Sequence, residues 1–483
     1  MLEIVKNNLK TLISKNLNYD NIIIEEPKKG YADLAIPLFN ISKNLNKDIN
    51  SLYNDLNTLL TKNKYVTNVE FLNGFLNIFL DRFEYSLLVF KNIKNSYKQI
   101  NIKNPQTIVI DYSSPNIAKH FSIGHLRSTI IGNSLKKIYS FLGYKVIGIN
   151  HLGDWGTQFG KMIVAYNHWG NPSILESNDV ISQLQNLYVR FHEESKNDLN
   201  LETEAREVFL ALEKGDKVYH KLWELFKEKS LEEFLQMYKT LNVEFDYFTG
   251  ESFFNDKMDK VLDDINSKGL SKIDDGALIV DLGENIAPAL LKKSDGATLY
   301  LTRDLTALLY RYNTYHFNKI LYVVGNEQKF HFEQLKLLSK KIGYDFDLEH
   351  INFGLVLIDG KKMSTRQGGF AKLDDIIKYT ISAVENQMLE KNPNISNVTE
   401  IASTIGIGAI IFNDLKNERI LDIDFDLENM LKFEGQTGPY IQYTSVRISS
   451  ILKNYDLNDL TIDFELYMDD LYFELIKVIS RYD

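Results

Sequence analysis

The stretch TIVIDYSSPNIAKHFSIGHLRSTIIGNSLKKIYSFLGYKVIGINHLG spans residues 107–153. It opens on a β-branched run, passes through a loop of small and polar residues, and continues with apolar residues at helical spacing from Leu126 to Leu142. Gly143 is a candidate helix C-cap, and a second apolar run follows it. Strand, loop, helix and strand make a βαβ unit, which predicts half of a doubly wound parallel sheet.

The sequence beyond this unit predicts the rest of an α/β fold. Strand-like runs return at 277–282, 319–324 and 353–358, and the second is followed by a helical pattern, as expected for the second half of the sheet. The charged, mainly helical stretch at about 172–240 indicates an insertion between the two halves. We therefore expect a doubly wound parallel (Rossmann-like) domain over residues 99–372.

The two ends of the chain predict smaller domains. Residues 1–98 combine helical patterns with an apolar run at Phe71–Leu80 that predicts a strand, which together indicate a small N-terminal α+β domain. The polar stretch 92–106 is the best linker candidate. Residues 373–483 are helical in pattern, so we expect an all-α C-terminal domain.

Composition narrows the class of protein. The 483 residues are 44% hydrophobic and 12% aromatic, which is typical of globular chains. Cysteine is absent, which excludes disulfides, zinc–thiolate sites and thiol nucleophiles. No run approaches the about 18–20 continuous apolar residues of a membrane span, so we expect a soluble, cytoplasmic protein. A net charge of −10 disfavours binding of nucleic acid over the whole surface but permits local basic grooves.

The loop after the first strand, residues 113–129, is the first candidate site, because ligands bind beyond the carboxyl ends of strands in such sheets. Gly124 and His125 lie where the helix begins, and the unpaired N–H groups there suit a phosphate. Lys119 and His125 can both donate hydrogen bonds to a phosphate or a ribose. An isolated Gly-His pair would indicate only a turn and a helix entry, but a second such loop lies downstream.

That second loop is GLVLIDGKKMSTRQGG, residues 354–369. Its cationic and hydroxyl side chains are Lys361, Lys362, Ser364, Thr365 and Arg366. Alone it would indicate an exposed hairpin tip. Paired with the first loop, it predicts a triphosphate held from two sides, with Mg²⁺ and basic groups offsetting the charge that develops on the leaving pyrophosphate.

The two loops resemble the HIGH and KMSKS motifs of class I aminoacyl-tRNA synthetases, which implies that residues 99–372 are a class I catalytic domain. Six segments, in order, are similar to the arginyl-tRNA synthetase family: SSPNIAKHFSIGHLRSTIIGNSL, NHLGDWGTQFGK, YLTRDLTALLYR, VVGNEQKFHFEQL, MSTRQGG and FEGQTGPYIQYTSVR. The resemblance implies a ligase in which arginine attacks ATP to give arginyl-adenylate and pyrophosphate. The 3′ end of tRNA(Arg) then takes the arginyl group and AMP leaves. It also implies Mg²⁺ with the ATP, no metal bound tightly by the protein, no membrane partner, and a monomer.

The resemblance also implies roles for individual residues. The catalytic set is Lys119, Ser122, Gly124, His125, Lys362, Ser364 and Arg366, and the ATP-binding set is Gly124, His125, Lys362, Met363 and Ser364. The guanidinium of arginine would be held by Glu251, Tyr300 and Asp304, and its α-amino end by Ser114, Asn116 and Gln328. Carboxylates suit a planar, permanently charged guanidinium.

Plainer interpretations exist for three of these residues. Asp304 alone would be expected to pair within its helix with Arg303 or Arg311. Glu251 would be an exposed turn acid, and Gln328 a polar residue at a helix N-terminus.

Two motif positions depart from the family pattern. Ser122 replaces the first histidine of HIGH, and His120, two residues earlier, is a candidate substitute. Thr365 replaces the second lysine of KMSKS, so Lys119 or Arg366 would supply the missing charge. The family further implies that adenylate formation waits for bound tRNA.

The flanking domains would contact tRNA. Residues 1–98 resemble the family's elbow-binding domain, with Phe75 and Asn77 as contacts, although Phe75 alone would be expected in a core. Residues 373–483 resemble the start of an anticodon-binding domain that we expect to be incomplete. In it, Tyr440 and Tyr443 would either contact tRNA or pack a domain junction.

Two other functions share part of this pattern. A small-molecule nucleotidyltransferase has the sheet and a similar first loop, but would not require tRNA. A non-catalytic paralogue that binds tRNA or arginine would keep the amino-acid pocket beside a defective phosphate loop. Lys119, His125, Lys362 and Ser364 are all present, which favours the enzyme.

Overall fold

The computed structural model describes residues 1–27, 31–96, 102–177, 179–284, 286–294, 296, 298–358, 361–362, 372–455 and 463–481. Of these, residues 94–96, 358, 361–362 and 464 are described by their backbone alone. The chain divides into two compact units. One is formed by residues 1–99 together with 452–483, and the other by residues 100–451.

The first unit packs helices on a three-stranded antiparallel sheet. Its elements are α1 (Leu2–Leu17), β1 (Leu34–Pro37), α2 (Leu38–Leu45), α3 (Ile49–Leu60), β2 (Val66–Leu72), β3 (Phe75–Leu80) and α4 (Arg82–Ser96). The sheet order is β1-β3-β2. Residues at helical spacing, such as Leu52, Leu56 and Leu60, are fully buried with Leu76 and Ile78 of the central strand. This shared core is why the amphipathic helices lie on the sheet.

A hairpin replaces the single strand predicted at Phe71–Leu80. Asn73 and Gly74 form its turn, with φ of 52° and 83°, and Leu72 pairs with Phe75 across it. An Asn-Gly pair with both residues at positive φ is typical of a type I′ hairpin turn. The single-strand prediction is wrong because it ignored this pair in the middle of the apolar run.

The second unit is built on a five-stranded parallel sheet. Its first elements are β4 (Thr107–Asp111), α5 (Ile123–Phe141), β5 (Lys145–Asn150), α6 (Thr157–Trp169), α7 (Pro172–Leu175), α8 (Val180–Glu194), α9 (Asn200–Glu213), α10 (Lys217–Thr240) and β6 (Tyr247–Phe248). A 3₁₀-helix at Glu251–Lys257 follows. Next come α11 (Met258–Ser267), β7 (Ser271–Asp274), β8 (Ala277–Val280), β9 (Ala289–Lys292), α12 (Tyr300–Tyr315), β10 (Lys319–Tyr322), a 3₁₀-helix at Asn326–Gln328, α13 (Lys329–Lys341) and β11 (Asp347–His350).

The sheet order β11-β10-β4-β5-β6 confirms the doubly wound topology. The chain runs outward from β4 in one direction and from β10 in the other, so the strand order reverses between these two strands. Alternate residues of β4 face opposite cores: Ile108 and Ile110 pack with α5, and Val109 packs with α12. Ligands bind beyond the carboxyl ends of the strands at such a reversal point.

Two predictions about this unit need correction. The helical insertion α7–α10 precedes β6, so it lies within the first half of the sheet and not between the halves. β6 has only two residues, too few to leave a strand pattern in the sequence. In addition, 277–282 contributes β8, which belongs to a separate antiparallel sheet ordered β7-β8-β9. Strand periodicity identifies a strand but not its sheet.

The third predicted strand, within 353–358, also lies outside the main sheet. The remaining elements are β12 (Val356–Ile358), β13 (Lys361–Lys362), α14 (Leu373–Lys391), α15 (Val398–Leu415), β14 (Ile423–Asp424), α16 (Leu427–Met430), α17 (Gly438–Leu452), a 3₁₀-helix at Phe464–Met468 and α18 (Asp470–Ser480). β12 pairs with β13 and β14 in a small sheet. Most of these elements from residue 373 onward are helical, but β14 shows that the region is not all-α as predicted.

Two C-terminal helices have distinct surroundings. Among the described helices, α15 is long and apolar enough by length and composition to cross a membrane, with a mean hydropathy of 1.3. Its most apolar window is 28% buried, and its Ala402 and Ala409 pack with Val384 of α14. α18 belongs to the first unit, where Phe473 is buried with Tyr85.

Candidate active site

Three loops meet at the carboxyl edge of the main sheet. The loop after β4 exchanges backbone hydrogen bonds with the loop after β5: Gly153 N donates to the Pro115 carbonyl at 3.1 Å, and Ile117 N donates to the Gly153 carbonyl at 3.2 Å. Glu251 N, after β6, donates to the Leu152 carbonyl at 3.0 Å. These bonds bring the predicted residues Ser114, Asn116 and Glu251 to one edge of the sheet.

The loop after β4 has an unusual backbone. Ser113, Ser114 and Ala118 have positive φ values of 76°, 46° and 57°. Residues other than glycine reach this region at a cost, and such strain concentrates at functional sites. Asn116 approaches Gly153 so closely that a Cβ there would lie 1.9 Å from Asn116 Oδ1. Glycine at 153 therefore sets the position of the Asn116 side chain.

The two carboxylates predicted to hold a guanidinium, Glu251 and Asp304, are close enough for the charge of one to act on the other. Arg303 Nη1 is 3.7 Å from Glu251 Oε2, and His331 Nε2 is 2.6 Å from Asp304 Oδ2. Arg311 pairs with Asp111 instead. The alternative that Asp304 pairs within its helix with Arg303 or Arg311 is therefore wrong, because both arginines have other partners.

The electrostatics of Glu251 reflect this setting. Burial raises the pKa of Glu251 to about 7; the Arg303 guanidinium acts to lower the pKa, and the nearby Asp304 carboxylate acts to raise it. Glu251 is only 17% exposed at its side chain, so it is not the exposed turn acid of the plainer interpretation. A cation that bound here would favour the ionised carboxylate.

Tyr300 and Gln328 lie at the starts of two helices. Tyr300 is the first residue of α12, one turn before Asp304, and is 69% exposed. Gln328 is exposed immediately before α13, three residues before His331. The Asp304–His331 bond thus links the two helices that carry them.

The first phosphate-type loop has its predicted form. Gly124 is exposed in the first turn of α5, and Ser122 N donates to His125 Nδ1 at 3.1 Å. Burial, and then the charge of Lys119, lower the pKa of His125 to about 4, so its ring is neutral near pH 7. Because Nδ1 accepts a hydrogen bond from Ser122 N, Nε2 carries the ring proton and can donate to a ligand.

Lys119 and His120 have different surroundings. Lys119 Nζ lies 5.7 Å from the Tyr188 ring centroid, no carboxylate of the described residues pairs with it, and burial lowers its pKa. His120 Nδ1 is 3.2 Å from Glu233 Oε1 and Nε2 is 2.8 Å from Ser182 Oγ. Both ring nitrogens of His120 are thus engaged by the helical insertion, whereas Lys119 has no carboxylate partner among the described residues.

Residues at the start of the second loop and just beyond its end are anchored to the first loop. Arg127 Nη1, on α5, donates to the Gly354 carbonyl at 2.8 Å, just before β12. Leu373 N donates to the Phe121 carbonyl at 3.0 Å. Lys362 lies in β13 by its backbone, whereas Met363, Ser364 and Arg366 lie outside the described residues. The segment between the anchors therefore starts and ends beside the first loop.

Several residues of this edge were not singled out from the sequence. Asp154 is fully buried, accepts from Ser252 N at 2.8 Å and pairs with Lys227 at 2.6 Å. His151 Nδ1 is 3.0 Å from the Thr249 carbonyl, and burial lowers its pKa. Both lie in NHLGDWG, a motif that indicated the family. The sequence did not show which residues contact Asp154 and His151, whereas the structure does.

Comparison with known proteins identifies the family. A family model described as tRNA synthetases class I (R), catalytic domain, matches residues 85–427, and one described as arginyl tRNA synthetase N terminal domain matches residues 1–80. The chain belongs to the arginyl-tRNA synthetase family. Similar curated proteins include an arginine–tRNA ligase 1 of Bacillus cereus, 45% identical over 98% of this chain and 85% of the relative. The arginine–tRNA ligase of Enterococcus faecalis is 44% identical over 99% of this chain and 86% of the relative.

Solved structures of the arginyl-tRNA synthetase family share the architecture. The arginyl-tRNA synthetase of Plasmodium falciparum matches with a TM-score of 0.79 and 27% identity, over 99% of this chain and 86% of that one. The Thermus thermophilus arginyl-tRNA synthetase shares the fold, with a TM-score of 0.79 at 22% identity over 100% of this chain and 89% of that one. The prediction of a Rossmann-like class I catalytic domain is confirmed.

Four residues were expected to contact tRNA from the resemblance to the synthetase family. Their side chains differ in exposure to solvent. Phe75, at the hairpin turn, is 37% exposed, whereas Asn77 is 7% exposed and donates to the Phe75 carbonyl at 3.4 Å. Phe75 is thus the more accessible of the two for stacking on a base. On α17, Tyr440 and Tyr443 are 44% and 46% exposed. Arg447 lies over the Tyr443 ring at 5.7 Å.

Proposed function

We propose that this chain is an ATP-dependent arginine–tRNA ligase, which activates L-arginine as arginyl-adenylate and transfers it to the 3′ end of tRNA(Arg). Membership of the family supports the reaction. The structural observation that carries the assignment is one shared edge of the sheet. There the Asp304 charge acts on the buried Glu251 carboxyl, beside a loop that leads into the start of α5.

The guanidinium of the substrate would lie between Glu251 and Asp304. A permanently charged, planar group is bound most strongly by carboxylates, and a neutral isostere would leave buried charge unpaired. Tyr300, one turn from Asp304, would cover the guanidinium. At the other end of arginine, Ser114 and Asn116 would bind the α-amino group, with Gln328 adding an amide from the start of α13.

The triphosphate would lie between the two loops. Gly124 would allow close approach of the phosphate to the start of α5, and the His125 Nε2 proton would be donated to it. Ser122, in place of the family's histidine, would complete the turn. Lys119 would supply cationic charge from the first loop, and Lys362, Met363, Ser364 and Arg366 of the second loop would also bind the nucleotide. Mg²⁺ would arrive with ATP and offset the charge on the leaving pyrophosphate.

The flanking regions would hold the tRNA. Residues 1–98 would bind its elbow, with Phe75 as a base-stacking side chain. Of the predicted C-terminal domain 373–483, residues 452–483 form part of the first unit. The helical region 373–451 would belong to the anticodon-binding domain, where Tyr440 and Tyr443 are exposed enough to contact RNA. We further propose that the protein acts as a cytoplasmic monomer.

Arginine-dependent exchange of pyrophosphate into ATP, with and without tRNA(Arg), tests the proposal. We expect exchange only when both arginine and tRNA(Arg) are present, because the family implies that adenylate formation waits for tRNA. Arginine-dependent exchange without any tRNA would overturn the tRNA requirement alone. Exchange that needs neither arginine nor tRNA would favour a nucleotidyltransferase that acts on a small molecule. Arginine binding without exchange in either condition would favour the non-catalytic paralogue.

A further inference from the structure

A fully buried ion pair connects two elements of the proposed arginine site. Arg311 Nη1 on α12 lies 2.7 Å from Asp111 Oδ2 at the end of β4, with side chains 2% and 5% exposed. The same nitrogen donates to the Tyr322 hydroxyl at 3.3 Å. Removing one partner of such a pair leaves an uncompensated buried charge, so the pair resists separation. It therefore fixes α12 against the end of β4.

The Asp111 end of the pair reaches the residues proposed for the α-amino group. Asp111 Oδ1 accepts a hydrogen bond from Ser114 Oγ at 3.1 Å. Ser114 has a φ of 46°, a backbone conformation that needs support from its surroundings. One carboxylate thus bonds both to α12 and to the side chain proposed to hold one end of the substrate.

The Arg311 end of the pair shares a helix with the residues proposed for the guanidinium. Arg311 follows Asp304 by seven residues, two helical turns or about 10 Å, which places both on one side of α12. His331 holds Asp304 at 2.6 Å from the neighbouring helix. The position of Arg311 along α12 therefore sets where Asp304 stands relative to Ser114.

We propose that Asp111 and Arg311 form a positioning pair that determines the length of the amino-acid side chain accepted by the enzyme. The inference rests on the proposed arginine site. In that site, Asp111 and Arg311 do not touch the substrate. It fixes the separation between the α-amino end at Ser114 and the guanidinium end at Asp304, so a substrate one methylene too long fits poorly.

The test compares three substrates in tRNA charging by the full chain: arginine, canavanine, which has the same length, and homoarginine, which is one methylene longer. The test variant is the double substitution Asp111→Asn with Arg311→Gln, which keeps a hydrogen-bonding pair without charge. One methylene is worth about 10–200-fold in discrimination. We expect the ratio of kcat/KM for arginine over homoarginine to fall by about tenfold, while the ratio for arginine over canavanine stays constant.

A second buried pair provides the matched control. Arg127 Nε and Asp414 Oδ2 are 3.4 Å apart, with side chains 1% and 3% exposed, and Asp414 lies on α15. Asp414→Asn is expected to change the melting temperature without changing the arginine-to-homoarginine ratio. A purely structural role for Asp111 and Arg311 would give the same result in the double variant. An unchanged ratio in a folded double variant would therefore overturn the proposal.

Two further variants allow the result of the test to be interpreted. If the double variant does not fold, Arg311→Lys retains a cation beside Asp111 but loses the planar geometry, and the same fall in the ratio is expected from it. Asp304→Asn tests the site beneath the inference. A normal KM for arginine in Asp304→Asn would overturn the proposed site. A raised KM there, with unchanged ratios in the pair variants, would overturn the positioning role alone.

Discussion

The Arg303 guanidinium lies 3.7 Å from the Glu251 carboxylate, so a side chain of the protein rests beside the acid proposed to bind the guanidinium of the substrate. This distance is long for a direct ion pair, so Arg303 lowers the pKa of Glu251 by less than burial raises it. The pKa of Glu251 is therefore raised to about 7. Before arginine binds, Glu251 is therefore expected to titrate near neutral pH. A bound guanidinium favours the ionised form, so arginine binding and proton release are coupled.

The KM for arginine is expected to fall as pH rises from 6 to 8. With a pKa of about 7, the ionised fraction of Glu251 rises roughly tenfold over this range, and the affinity for a cation follows it. Initial rates of tRNA charging at saturating ATP measure this. In Glu251→Gln, the KM should be raised at every pH and lose this dependence. A wild-type KM that does not vary with pH, or a variant that keeps the wild-type slope, would contradict the role of Glu251.

Asp304→Asn is expected to reduce kcat/KM for arginine by about 10–150-fold, because a hydrogen bond to a charged group contributes about 1.5–3 kcal/mol. The KM for ATP should stay unchanged, since Asp304 lies on α12 and not in either phosphate loop. Asp374→Asn is the matched control. Asp374 forms an exposed pair with Lys378 at 2.6 Å, and its loss should leave both constants unchanged. Equal effects on arginine and ATP in Asp304→Asn would indicate general damage to the site.

Gly153→Ala is expected to raise the KM for arginine by displacing Asn116, because the new Cβ would meet Asn116 Oδ1 at 1.9 Å. If this displacement is the cause, Asn116→Ala should raise the KM similarly, and the double variant should be no worse than Asn116→Ala alone. Such non-additivity is the signature of two residues in contact. Additive losses would mean that Gly153 acts through something other than Asn116.

The fold was predictable where elements with a strong sequence pattern also pair with each other. The βαβ unit at 107–153 has strong local signals, and its strands pair with each other in the sheet. β6 has two residues, and β11 is the polar run Asp347–His350, so neither carries a strand pattern. Their places depend on the neighbouring strands, which already offer unpaired backbone groups. Local pattern does not contain that information.

The candidate site was also predictable only in part. Motifs named Ser114, Asn116, Glu251 and Asp304, because each lies in a short segment typical of the family. Their partners could not be named, since the bond between Asp304 and His331 spans 27 residues and joins two helices. The choice of partner for each buried charge is made by tertiary packing, which a single sequence does not display.

Asp414 predicts a pH dependence of stability. Burial raises its pKa from near 4 to about 6, so the carboxyl is neutral in the folded chain at a pH where the unfolded chain already ionises it. The stability that Asp414 contributes is therefore present below about pH 4 and is lost as pH rises through 6. Asp414→Asn cannot ionise. Relative to wild type, its melting temperature should rise between pH 4.5 and 7, by the equivalent of about 2–3 kcal/mol at most. A difference that stays constant with pH would contradict the raised pKa.

Phe75→Ala is expected to raise the KM for tRNA(Arg) by about 5–150-fold, since stacking a base on an aromatic ring contributes about 1–3 kcal/mol. The dissociation constant for arginine, measured without tRNA, should not change. Leu72→Ala is the matched control, because Leu72 pairs with Phe75 across the same turn and is similarly exposed, 45% against 37%, but has no ring. Its effect should be small, and Phe75→Tyr should retain most of the affinity. If both alanine variants weaken tRNA binding equally, the hairpin contributes through packing and not through stacking on a base.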